Sequence, residues 1–60
     1  MKYTFIFEIH FVTDCRCLNV WVKTITKTGC LFDFFKMAKS VEQQLVPGEF
    51  VYSVCINDES

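Results

Sequence analysis

Large apolar side chains occupy every odd position from Tyr3 to Phe11, namely Tyr3, Phe5, Phe7, Ile9 and Phe11, while Thr4, Ile6, Glu8 and His10 fall between them. A period of two sends alternate residues to opposite faces, so this run predicts a strand with one buried face. From Leu18 to Thr26 the apolar set moves to even numbers, Leu18, Val20 and Val22, with Asn19, Trp21, Lys23 and Ile25 on the other parity. β-Branched and aromatic residues dominate both runs, as strands prefer.

The switch from odd to even constrains the pairing. Two antiparallel strands bring these sets face to face only if paired numbers sum to an odd value. A turn centred on Asp14 and Cys15 pairs Phe11 with Leu18, Ile9 with Val20 and Phe7 with Val22 on the core side. On the outer side it pairs His10 with Asn19, Glu8 with Trp21 and Ile6 with Lys23. A slip of one residue would throw every Phe of the first strand into water.

Past Thr28-Gly29 the period lengthens. Leu31, Phe34, Phe35, Ala38, Val41 and Leu45 follow the spacing of an amphipathic helix. Thr28 is the expected N-cap, and Asp33 near the start suits the helix dipole. Asp33 with Lys36, and Lys39 with Glu42, are expected as neighbours on the solvent side. Pro47-Gly48 ends the helix, since proline removes a donor and disfavours helical geometry just before itself. Phe50, Tyr52, Val54 and Ile56 then alternate with Val51, Ser53 and Cys55 as a third strand.

The expected fold is α+β with the order ββαβ: a strand at about 3–12, a strand at about 17–26, a helix at about 29–45 and a strand at about 50–56. These elements form a single domain over residues 1–60. The helix returns the chain across the sheet by a right-handed crossover, so the third strand runs parallel to the second and antiparallel to the first. The first strand, longest and most apolar, is placed at the centre in the order 2-1-3, with 1-2-3 left open. One helix covers one face, and nothing in the chain covers the other.

Sixty residues bury only roughly 60% of the surface their unfolded chain exposes, so the stability margin is thin. The composition, 52% hydrophobic and 17% aromatic, excludes intrinsic disorder. Six Lys or Arg against seven Asp or Glu form no basic stripe for a phosphate backbone. Met1-Lys2 precedes an apolar run, but Thr4, Glu8 and His10 interrupt it and no small-residue cleavage site follows. No apolar stretch approaches the ~20 residues of a membrane helix. The reading is of a cytoplasmic protein without a membrane role.

Cys15, Cys17, Cys30 and Cys55 and the lone His10 invite a zinc site. Cys15 and Cys17 belong to the hairpin turn, whereas Cys30 and Cys55 sit at the far end of the sheet. A strand of about nine residues puts roughly 25–30 Å between the pairs, too far for one ion or for a disulfide. Cys55 also has outer-face parity while Cys30 belongs to the helix layer. No metal, bridge or cofactor is expected. Cys30 at a helix start has the setting of a reactive thiol, although a small hydrophobe near a helix start is its plainer role. His10 is read as a surface histidine: the chain offers it no nucleophile, paired carboxylates or second histidine. Two glycines leave little material for a phosphate-cradling loop. The chain is therefore expected not to be an enzyme.

Trp21 is the residue that points to function. With Ile6, Glu8, His10, Val12, Lys23, Ile25 and Val51 it is expected on the uncovered face. An apolar patch with an exposed indole marks an interaction surface, and Trp is among the residues that dominate interface energetics. The expected function is a small protein-interaction module that binds a protein partner, or itself as a homodimer, as a regulator or inhibitor of the protein it engages. Phage and mobile-element inhibitors of host proteins share this unadorned architecture, an association that fold alone does not turn into function. The alternatives are an RNA- or DNA-contacting module, which needs more cations around the ring than Lys23 and Lys2 supply, and a thiol-based sensor at Cys30 or the turn cysteines.

Overall fold

A computed structural model describes residues 2–14 and 18–58. Three strands, β1 (Tyr3–Val12), β2 (Asn19–Gly29) and β3 (Glu49–Asp58), make one sheet in the order β2-β1-β3. β1 is antiparallel to both neighbours. A 3-10 turn at Leu31–Asp33 leads into the helix α1 (Phe34–Gln43), which lies between β2 and β3 in the chain. The architecture is α+β, ββαβ, with the most apolar strand in the middle.

The odd residues of β1 make the core. Phe5, Phe7 and Ile9 are fully buried together with Val41 of α1. Tyr3, Ile25, Phe34, Met37, Ala38, Leu45, Val51 and Val54 pack around them. Phe34 meets both core rings, at centroid separations of 5.5 Å from Phe5 and 6.2 Å from Phe7.

The register differs from the sequence expectation. From Tyr3↔Gly29 to Ile9↔Lys23 the paired numbers sum to 32, and from His10↔Trp21 to Val12↔Asn19 to 31. The strands stop at Val12 and resume at Asn19, a longer connection than a turn centred on Asp14 and Cys15. Thr13 Oγ1 closes it by donating to the Leu18 carbonyl at 2.8 Å. Cys15, Arg16 and Cys17 lie outside the described residues. Phe11 therefore pairs with Val20, Ile9 with Lys23 and Phe7 with Ile25, not with Leu18, Val20 and Val22.

Each outer strand also carries one unpaired residue at nearly the same level. Val22 is skipped between Lys23 and Trp21, and Tyr52 between Ser53 and Val51. An extra residue flips the parity of everything beyond it. Ile25 and Lys23, expected on the outer face, therefore lie opposite Phe7 and Ile9 on the helix side, and Val51 joins them opposite Ile9. Ile25 and Val51 pack against the core.

The helix also differs in detail. Thr28 belongs to β2, Cys30 caps the 3-10 turn and Asp33 caps α1, neither by a side-chain hydrogen bond. Cys30 Sγ instead donates to Asp33 Oδ2 at 3.1 Å. With Val41 at the centre of the buried stripe, about 100° per residue puts Phe34, Met37 and Ala38 within about 60° of it and Phe35 about 120° away. Leu31 and Phe35, expected in the core, are accordingly exposed, Phe35 at 82% and its neighbour Phe32 at 95%.

Ten residues of helix span about 15 Å, half the length of a ten-residue strand. The hairpin end of the helix-side face is thus uncovered, leaving Phe11, Leu18, Val20 and Val46 exposed. The molecule is long, 42 × 19 × 14 Å, with a radius of gyration of 12.7 Å against about 10 Å for a compact chain of this length. No helix among the described residues is long and apolar enough to cross a membrane.

Candidate functional site

The sheet face turned away from α1 is built in rows across the three strands. Thr28, Thr4 and Asn57 form the first, Thr26, Ile6 and Cys55 the second, Thr24, Glu8 and Ser53 the third, and Trp21, His10 and Phe50 the fourth. Directly paired residues share a face, so these assignments follow from the register. Of the residues expected here, Ile6, Glu8, His10 and Trp21 come together, whereas Lys23, Ile25 and Val51 do not.

The fourth row is the centre of the site. Trp21 on β2 is 59% exposed and sits opposite His10, not opposite Glu8. His10, expected as a surface histidine, is only 8% exposed. Its imidazole lies flat on the ring of Tyr52, with centroids 3.9 Å apart and planes 10° apart, while Phe50 flanks it at 6.2 Å. Regular alternation would send Tyr52 to the helix side with Val54 and Ile56. The extra residue in β3 turns it onto the open face, where it remains 56% exposed.

Both imidazole nitrogens are engaged. Nδ1–H donates to Asn19 Oδ1 and Nε2–H to Glu8 Oε2, each at 2.5 Å. Two acceptors on one ring call for the doubly protonated form. The pKa is raised above the ordinary 6.5 chiefly by the Asn19 hydrogen bond, against desolvation, with the hydrogen bond and charge of Glu8 adding to it. Ser53 Oγ donates to the other Glu8 oxygen at 3.5 Å. One charged pair is thus satisfied within the sheet, joining β1 to both neighbours.

Apart from Glu8 and His10, the rows contain no charged residue. The remaining charges of the strands lie on the other side: Lys23, Lys27, Glu49 and Asp58 pair with Ile9, Phe5, Phe11 and Tyr3. Lys23 and Glu49 approach each other there at 3.9 Å. Half-solvated sheets ordinarily show the reverse, with charged residues on the water side.

Phe50 and Tyr52 belong to the site without having been placed there by the alternation, whereas Asn19, expected on this face opposite His10, is there opposite Val12 and within hydrogen-bond reach of the imidazole. The signal was present in two runs of consecutive bulky residues, Val20-Trp21-Val22 and Phe50-Val51-Tyr52. Neither run can keep a period of two with every large residue on one side.

Both ring nitrogens of His10 are hydrogen-bonded, and no group of three or more His, Cys, Asp or Glu residues among the described residues is placed to hold a metal. Cys30 and Cys55 are free thiols, Cys55 in the second row and Cys30 at the helix start. A hollow of about 300 Å³ beside the helix start is lined by Tyr3, Cys30, Leu31 and Phe32, away from the aromatic row. In comparison with known proteins, the chain matches no family model, no curated protein and no solved structure.

Proposed function

We propose that this chain is a cytoplasmic protein-interaction module that acts by binding a protein across its open sheet face, regulating or inhibiting what it engages, and not by catalysis. The carrying observation is the inversion of charge across the sheet. The uncovered side holds Trp21, Tyr52 and Phe50 with one internally neutralised pair, and the helix side holds the lysines and acids of the strands. Loss of charge together with exposed Trp and Tyr is the compositional mark of an interface core.

Catalysis fits the same residues less well, because the one histidine spends both nitrogens on structural partners. Nucleic acid fits less well too: stacking surfaces need cations beside the rings, and Lys23 and Lys27 lie on the opposite side of the sheet.

The test is affinity capture from the native cell with wild type, Trp21→Ala and Phe35→Ala as baits. Partners are expected to be lost from Trp21→Ala and kept by Phe35→Ala, whose side chain is exposed on the helix. Retention of every captured protein by Trp21→Ala would remove the open face from the proposal.

A further inference from the structure

We infer that the occupant of the open face is a second copy of this chain, packed sheet on sheet with the two helices outermost. This rests on the interaction reading above and names its partner. Three observations carry it.

The first is charge. A face that meets its own copy must be self-complementary, and any net charge on it repels itself. This face is neutral when Glu8 and His10 are paired: the imidazole lies under the Tyr52 ring, and the Glu8 carboxylate, its side chain 39% exposed, is held by His10 and Ser53. A strongly charged partner would meet here only a carboxylate already paired within the sheet.

The second is area. Three strands of ten or eleven residues give a face about 33 Å long and, with side chains, about 15 Å wide, or roughly 500 Å² in projection. That projection is about two thirds of the about 800 Å² that each partner contributes to a standard interface, before side-chain relief is added.

The third is the shortage of core. Only Phe5, Phe7, Ile9 and Val41 are fully buried hydrophobic residues among the described residues. The accessible surface, 4481 Å², exceeds the roughly 4,100 Å² of a compact monomer of this mass. Two such sheets stacked about 10 Å apart would bury Ile6, Cys55, Trp21, Phe50 and Tyr52 between them. A two-fold axis parallel to β1 exchanges the outer strands, so Trp21 on β2 of each copy lies over β3 of the other, where Tyr52 and Phe50 are.

Trp21 is the sole tryptophan, so its emission reports the burial of this face directly. The experiment is sedimentation equilibrium of the full chain from about 1 to several hundred micromolar, with tryptophan emission read on the same samples. Wild type is expected to dimerise as its emission moves to shorter wavelength. Trp21→Ala is expected to weaken the dimer at least about tenfold. Thr26→Arg, which puts an unpaired charge in the second row without touching the core, is expected to do likewise while keeping the wild-type circular dichroism.

A dimer whose emission stays that of a water-exposed indole, and which both variants leave intact, overturns the assignment and shifts it to the Phe32–Phe35 end of the helix or to a strand edge. A monomer at every concentration overturns the second copy as occupant. In that case the capture experiment separates the two readings: a partner lost from Trp21→Ala keeps the interaction module, and none lost removes it as well.

Discussion

His10 and Tyr52 are stacked ring on ring, 3.9 Å between centroids, although regular alternation would have put them on opposite faces of the sheet. The stack lets a protonated imidazole sit at 8% exposure, between Asn19 on β2 and Glu8 on its own strand. Its pKa is raised, with Asn19 the largest cause, so the folded chain holds this proton more tightly than the unfolded one. The stabilisation is therefore full below about pH 6.5 and is lost as pH rises through the folded-state pKa. Melting temperature should fall over that interval and level off above it, and His10→Gln should flatten this part of the profile. As the only histidine, His10 gives a single imidazole titration by NMR, whose midpoint should lie above 6.5. A midpoint at or below 6.5 would contradict the double hydrogen bond.

Gly48 carries two constraints at once. Its φ is +97°, where side chains are strained, and a Cβ built there would approach the Phe11 ring to 2.6 Å. Its carbonyl also accepts from Val12 N–H at 2.9 Å, fastening the turn before β3 to the end of β1. Gly48→Ala should cost about 2 kcal/mol in urea denaturation. Adding Phe11→Ala separates the terms: it should relieve the steric part of the Gly48 penalty and leave the backbone part.

The fold was legible because two periods, 2 and 3.6, occupy separate stretches of the chain, and because Tyr3 to Phe11 is too apolar for an edge. Register was not, and the cause lies in Val22 and Tyr52. Alternation is a local signal that resets at an unpaired residue, so Val20 and Val54 keep the expected side while Ile25 and Val51 change theirs. A run such as Phe50-Val51-Tyr52 shows that alternation fails, but only pairing shows where.

The site was legible in part for the same reason. Ile6, Glu8 and His10 lie on the central strand, whose alternation is unbroken, and Trp21 sits beyond the extra residue on the side the sequence had indicated. Tyr52 was hidden, because its position is set by a skipped pairing in β3. The burial of His10 was hidden too: Asn19 was expected beside it, but the covering ring is Tyr52, 42 residues away in sequence.

Lys23 and Glu49 straddle β1 on the helix side at 3.9 Å, and Lys23 is well exposed. Glu49 Oε1 also accepts from Val46 N–H at 3.1 Å, which gives the carboxylate a role without the lysine. With the Glu49 side chain 8% exposed but the lysine 44% exposed and 3.9 Å away, the pair contributes about 1 kcal/mol or less and is screened by salt from the lysine's side. Lys23→Ala should therefore shift the urea midpoint slightly and lose even that in 1 M NaCl. Glu49→Ala should cost more and keep a salt-independent remainder.

Val41 and Phe35 share one helix and test what holds it to the sheet. Val41 is fully buried against Phe5, Phe7 and Ile9, while Phe35, the larger side chain, projects into water. Removing two buried methyl groups and leaving a cavity should make Val41→Ala cost about 2–3 kcal/mol. That is about half or more of the about 3–5 kcal/mol a core of this size supplies, so the variant should be partly unfolded at 37 °C. Phe35→Ala should stay within about 0.5 kcal/mol of wild type. A large loss from Phe35→Ala at micromolar concentration, with Val41→Ala mild, would mean that the helix end is packed in solution and that the stripe centred on Val41 is misplaced.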